Sequence, residues 1–232
     1  MKKPLKIILA SLVVVGLALT AGPFLYINLI RDDAPDALTI DDDASDQTIP
    51  AGQETAITDV NGAWQVAPNT DSVVGYRVKE VLFGQSTEGV GRTGDITADL
   101  MIVDNVVTEG SFTVQMGTIL SDAANRDRQF NGRIMDTTAH PTATFVLRAP
   151  VTLPTNALSG EVLGFEATGD LTLRGNTKSV TFPLQAKVEG AVFTVVGNIT
   201  IVFDEWGIPE PDLPGISVEP EGLLEFSLVF NR

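Results

Sequence analysis

The sequence predicts an all-β domain of about eight antiparallel strands, folded as a sandwich or a closed barrel, behind one apolar N-terminal segment. Three observations lead there. From Trp64 onward apolar residues recur mostly with period two, the period of a strand whose alternate side chains face opposite sides of a sheet. Turn-forming pairs punctuate these rows at Asp104-Asn105, Gly175-Asn176, Glu189-Gly190 and Glu221-Gly222. No long segment carries the period of about 3.6 residues that marks an amphipathic helix.

The rows can be taken in order. Val74, Tyr76 and Val78 alternate with Gly75 and Arg77, and Phe112, Val114 and Met116 alternate with Thr113 and Gln115. Phe165, Ala167, Gly169, Leu171 and Leu173 form one long row, and Val180, Phe182, Leu184, Ala186 and Val188 the next. Ala191 to Phe203 follows after Glu189-Gly190, a short break between two alternating rows that reads as a hairpin. Leu224, Phe226, Leu228 and Phe230 close the chain. Two stretches break the pattern. Ser121 to Met135, rich in charge and poor in β-branched residues, suits a short helix or an irregular excursion. Trp206 to Pro220 carries four prolines and cannot be a central strand; it reads as a rigid lid or a crossover.

One apolar face per strand is what a closed sheet needs, and an eight-stranded barrel holds one small ligand if large side chains do not fill it. The small residues Ala167, Gly169, Ala186 and Gly197 on inward rows either leave room or mark tight packing and bends.

The N-terminus carries a separate signal. Lys2, Lys3 and Lys6 precede an apolar run from Ile7 to Ile30, and an acidic stretch follows. The run is long enough to cross a hydrocarbon core, and the positive-inside rule puts residues 1–6 in the cytoplasm and the rest outside. The expectation is a plasma-membrane signal-anchor over 7–30. A cleaved signal peptide, giving a secreted domain, is the alternative; Ala18, Thr20 and Ala21 offer a cut site, but Phe24 to Ile30 continue the run beyond it. Residues 31–60 hold nine acids against Arg31 and few apolar residues, which suits an acidic, disordered tether. The folded domain is expected over 61–232.

Composition excludes several functions. A net charge of −15 argues against nucleic acid. The absence of cysteine removes disulfides, thiolate nucleophiles and cysteine-rich zinc sites. The aspartates of the tether lack the glycine and terminal glutamate of a calcium loop. The one histidine, His140, cannot build a multi-histidine metal site, and as the residue before Pro141 it belongs at a strand entrance. Glu88-Gly89-Val90-Gly91-Arg92-Thr93-Gly94 is not followed by a helix and reads as a turn rather than a phosphate loop. Arg126-Asp127-Arg128 lies in the least strand-like part of the domain and reads either as a set of charges that orders a loop at a barrel mouth or as a solvated surface cluster worth little in stability. No catalytic residue, metal or cofactor is expected. If the chain were an enzyme acting on a hydrophobic substrate, Arg126, Asp127 and His140 should converge on one cavity.

Several motifs in a fixed order carry a family resemblance. Gly62 to Val66, then Asp71 to Lys79, is similar to the opening of YceI-like proteins. Asn125-Arg126-Asp127-Arg128-Gln129-Phe130 falls where that family has its Arg-Asp pair, and His140 to Phe145 resembles its Pro-x-Ala-x-Phe strand. Gly169 to Val180 resembles its Gly-x-Leu-Thr-x-x-Gly-x-Thr-Lys-x-Val signature, the most specific of these. Residues 79–94 look like the membrane-anchored, actinobacterial-type members. The resemblance implies an extended, lipocalin-like antiparallel barrel that binds isoprenoid or other amphiphilic lipid chains. Where the family commonly has a histidine soon after the Arg-Asp pair, this sequence has Arg128-Gln129-Phe130.

The expected function is therefore to bind, sequester or carry an isoprenoid-like lipid at the outer face of the plasma membrane. Phe112, Met116, Phe145, Phe165, Leu171, Phe182 and Phe226 are the expected apolar lining, with Arg126, Asp127 and His140 as mouth candidates. The expected partners are the lipid and the membrane; a homodimer is compatible with this reading. The alternative is a fully packed barrel acting as a ligand-free interaction or stress-response module of the cell envelope.

Overall fold

In the computed structural model, residues 34–40, 57–66, 71–210 and 215–232 are described. The apolar run 7–30 and most of the acidic stretch lie outside these residues. Among the described residues no helix is long and apolar enough to cross a membrane.

Thirteen strands form one antiparallel sheet. They are β1 (Gly62–Val66), β2 (Val73–Leu82), β3 (Gln85–Thr93), β4 (Ile96–Val103), β5 (Val106–Gln115), β6 (Leu120–Ser121), β7 (Thr142–Leu147), β8 (Val151–Thr152), β9 (Leu163–Leu173), β10 (Asn176–Glu189), β11 (Val192–Val202), β12 (Ile216–Val218) and β13 (Glu221–Asn231). Eight of them close a ring in the order β1-β4-β5-β7-β9-β10-β11-β13, shut by Gln65 against Asn231 and Val66 against Phe230. The sandwich alternative is thereby excluded, and the barrel expected from the resemblance is observed. The other half of β13 pairs with β2, so the β2-β3-β6 edge flares from the ring at one end, the upper end, and β12 adds to β2.

The turns follow backbone chemistry. Asp104 and Asn105 have φ of 51° and 60°, which suits a two-residue hairpin turn, and Arg174-Gly175 does the same between β9 and β10. A further hairpin at Phe83-Gly84, φ 50° and 85°, lacks an Asx residue and was not marked in the sequence. Glu221-Gly222, expected as a turn, instead opens β13. Its glycine serves close approach: a Cβ there would lie 3.0 Å from the Arg77 carbonyl oxygen. The excursion expected over 121–135 is a helix α1 (Ala124–Gln129) running into a π-turn (Phe130–Ile134). A short helix α2 (Phe203–Trp206) leads into the Pro-rich stretch, which contains β12.

The outer wall carries a charge cluster that is itself buried. Glu225 on β13, 3% exposed, accepts from Arg77 Nε at 3.1 Å and Arg92 Nε at 2.8 Å. Arg77 also bonds Glu88 at 2.6 Å. These carboxylates outweigh the burial that would loosen the Arg77 proton, and its pKa moves up. Residues 34–40, inside the expected tether, lie on this cluster: Arg77 donates to the Pro35 carbonyl at 2.7 Å and Arg92 to that of Asp36.

Candidate functional site

Cross-strand register decides how the interior is filled. Along β5 the inward residues are Phe112 and then Val114; along β7 they are Phe145 and Ala143. The register sets Phe112 opposite Phe145 and Val114 opposite Ala143. Large residues thus share one level of the barrel and small ones the next. Ala167 faces Phe182, and Gly197 faces Phe226, across the neighbouring ladders.

At the level of the large residues four rings form a closed circuit. Phe112 stacks on Phe145 at 5.4 Å, Phe145 meets Phe182 edge-on at 5.4 Å, Phe182 meets Phe226 edge-on at 5.9 Å, and Phe226 returns to Phe112 at 5.8 Å. The wall is indented to admit them. A Cβ on Gly169 would lie 2.4 Å from Phe145 Cζ, and one on Gly197 would lie 2.7 Å from Phe226 Cζ. Of the two readings of these small inward residues, tight packing holds for Gly169 and Gly197.

Two apolar cavities result. The upper one, about 150 Å³, lies at the level of Val114 and Ala143 and rises past Met116, Leu173, Ile201 and Leu224 to Phe130, Ile134 and Ile208. The lower one, about 90 Å³, is bounded by the four rings with Phe165, Ala186, Phe193 and Phe230. No residue lines both.

The polar groups gather at the upper cavity. Tyr76 and Glu80 lie on the same inward row of β2, and Arg126 reaches in from α1. Arg126 Nη2 donates to Glu80 Oε1 at 2.8 Å, and its Nη1 to Asp122. Burial works against the charged guanidinium, but Glu80 and Asp122 outweigh it and raise its pKa. The Tyr76 ring stacks on Phe130 at 4.9 Å. Burial pushes the Tyr76 hydroxyl up to about 12, against the lowering effect of Arg126. Both depend on glycines of β3: a Cβ on Gly91 would lie 2.5 Å from the Tyr76 ring, and one on Gly89 3.1 Å from Arg126 Nε. The Gly89-Val90-Gly91 segment is therefore a strand thinned to admit two side chains, not the turn that its composition suggested.

The expected site residues separate. Met116 lines the upper cavity; Phe112, Phe145, Phe165, Phe182 and Phe226 line the lower one. Leu171 is wholly buried and lines neither, being held in the core beside Phe145. Arg126 is at the upper cavity. Asp127 instead accepts from the Ser121 amide at 2.9 Å and its hydroxyl at 2.6 Å, which orders the approach to α1. His140 stands before β7 as expected, but covers the β9–β10 turn, where a Cβ on Gly175 would lie 2.8 Å from its Cε1. It lines neither cavity, so Arg126, Asp127 and His140 do not meet at one. Among the described residues no group of three His, Cys, Asp or Glu is placed to hold a metal.

Tyr76, Glu80 and Phe130 line the upper cavity without being singled out by the sequence, Tyr76 standing there only as a member of an apolar row. Glu80 had a usable signal: it continues the row Val74, Tyr76, Val78, and a charge on an apolar row has to find a partner. Phe130 had none, because the irregular segment that carries it has no period. The Pro-rich stretch covers part of the upper cavity through Ile208, Pro209 and Val218, as a lid would.

Comparison with known proteins adds the following. A family model described as "YceI-like domain" matches residues 64–230. No curated protein matches by sequence. Among solved structures, a polyisoprenoid binding domain from Saccharophagus degradans implicated in plant cell wall breakdown superposes with TM-score 0.54 at 12% identity, over 72% of this chain and 97% of that one. BcnA from Burkholderia cenocepacia superposes with TM-score 0.50 at 21% identity, over 66% of this chain and 95% of that one. At these identities the likeness concerns the fold.

Proposed function

The chain belongs to the YceI-like domain family, and from that premise we propose that its barrel binds an isoprenoid-like or other amphiphilic lipid, tail inward and polar end at Arg126 and Tyr76. One observation carries the reading: unfilled apolar space lies directly beneath a half-buried polar cluster at one end of the barrel. That division of a pocket into apolar walls and a few polar groups is the ordinary form of a small-molecule site. The polyisoprenoid binding domain with the same fold supports the choice of ligand class.

The driving force is burial, worth ~0.8 kcal/mol per methylene. Micromolar binding needs about 8 kcal/mol, hence about ten buried carbons before any cost of ordering. A cavity of 150 Å³ is of a size known to take one benzene. Short chains therefore fit as the barrel stands, and long ones require the interior or the lid at Ile208 and Pro209 to yield.

In this proposal residues 7–30 anchor the chain in the plasma membrane with the barrel outside, so that the site stays near its lipid source. The basic lead, the length of the apolar run and the acids that follow it support this. The second reading, a packed barrel acting as an envelope interaction module, draws on the four-ring layer that narrows mid-barrel and divides its space into two small cavities.

Mass spectrometry of lipid extracted from protein purified from its native host tests the choice. A stoichiometric amphiphile, or uptake of added polyprenol, is the expected result. No lipid above background together with no uptake would leave the packed barrel as the better reading.

A further inference from the structure

We infer that Phe112, Phe145, Phe182 and Phe226 form a divider that stops an inserted chain at mid-barrel and so sets the length of chain this protein prefers. The inference rests on the lipid-binding reading and deepens it.

The observations are independent of any ligand. Two apolar cavities of about 150 and 90 Å³ share no lining residue. Between the upper cavity and the floor of the lower one stands a closed circuit of rings, each 5.4 to 5.9 Å from the next. All four rings are at most 6% exposed. Edge-on and offset contacts at such distances are mutually favourable, so displacing one ring disturbs two neighbours. Two of the rings also sit over glycines on the adjoining strands, Gly169 and Gly197, where any larger residue would collide with them. An aromatic laid across a strand glycine restores packing that the glycine lacks, which gives each of these rings a fixed seat.

A chain entering at Tyr76 and Arg126 passes Val114 and Ala143 and meets this layer end-on. Carbons that stop above it are buried; carbons that would lie below it are not, unless a ring leaves its seat. Affinity should therefore climb with chain length only until the upper chamber is full. The upper volume, which already includes the space under the lid, corresponds to about one isoprene unit.

The test uses prenols of a common head group: geraniol, farnesol and geranylgeraniol, measured by calorimetry on the full chain. In the wild type, affinity should change by less than about threefold from geraniol to geranylgeraniol. In Phe182→Ala, which opens the layer onto the lower cavity, the first added isoprene unit, from geraniol to farnesol, should gain about tenfold, well under the ceiling set by burying its carbons, and the second should add less because the lower cavity is then full. Phe182→Leu, a milder change less prone to unfold the core, should show the same trend at smaller amplitude. A wild type that gains tenfold per unit, or variants that keep the wild-type plateau, would refute the divider while leaving lipid binding intact. If no prenol binds wild type or variant, both this inference and the lipid reading fall.

Discussion

Gly197→Ala is the most direct probe of how rigidly the interior is built. The new methyl would meet Phe226 Cζ at 2.7 Å, Leu184 Cβ at 3.1 Å and Phe226 Cε1 at 3.2 Å. All three are shorter than ordinary van der Waals contact, so a ring seated against Phe112 and Phe182 has to shift. Overpacking of this kind costs ~1–3 kcal/mol. Alanine returns ~0.5–1 kcal/mol by restricting the unfolded chain, since Gly197 does not need a left-handed backbone. The expected net loss is thus ~0–2.5 kcal/mol, a fall in Tm of up to about 10 °C for a chain of this size. Urea unfolding followed by tryptophan fluorescence is suitable, because Trp64 and Trp206 are both buried. Gly164→Ala is the control: nothing lies within 4 Å of a Cβ there, and it should be neutral or slightly stabilising. The decisive measurement is the double variant with Phe226→Leu. Removing the ring edge relieves the clash, so the pair should be more stable than the sum of the single changes by ~0.5–2 kcal/mol. Strict additivity in this cycle would mean that the ring has room to move, and the argument for a fixed divider would fail with it.

Three further outcomes are expected. Glu225→Ala removes the carboxylate shared by Arg77 and Arg92, leaving Arg77 with Glu88 and Arg92 with no carboxylate partner among the described residues of this cluster. It should cost ~3–5 kcal/mol by urea titration, whereas replacing all three with apolar residues should recover most of that; a loss below ~1 kcal/mol would contradict the cluster's structural role. Tyr76 ionises at about 12 in the folded protein against 10.0 ordinarily, so its contribution is complete below pH 10 and is lost as pH rises towards 12, the unfolded chain releasing the proton first. Stability over that window should decline by of order 2 kcal/mol and decline less in Tyr76→Phe; parallel pH profiles would show that the hydroxyl is not held in its neutral form. Finally, residues 34–40 dock through carbonyls bonded to Arg77 and Arg92. The triple variant Arg77→Met, Arg92→Met, Glu225→Leu, which leaves no buried carboxylate without its cations, should speed limited proteolysis within that segment several-fold while the barrel stays resistant; unchanged cleavage would show that these bonds do not hold it.

The period-two rows were enough for the all-β class, for the hairpins at Asp104-Asn105 and Glu189-Gly190, for the helical break after Ser121 and for the family resemblance centred on Gly169 to Val180. Each of these is local: alternation and turn preference are written in residues next to one another, and the backbone must satisfy them wherever the strand ends up. Three things waited for the tertiary structure. The barrel closes between Val66 and Phe230, and Arg77 finds Glu225 from 148 positions away, because pairing between distant strands is set by the whole ring. Gly89 and Gly91 look like a turn in the sequence because a glycine row reads as one until the side chains that need the space, Arg126 and Tyr76, arrive from other elements. The interior could be read as apolar from the sequence but not as vacant or filled. Vacancy is the difference between the volume a ring of strands encloses and the volume its side chains occupy at each level, and that depends on the register that sets Phe112 beside Phe145 and Val114 beside Ala143.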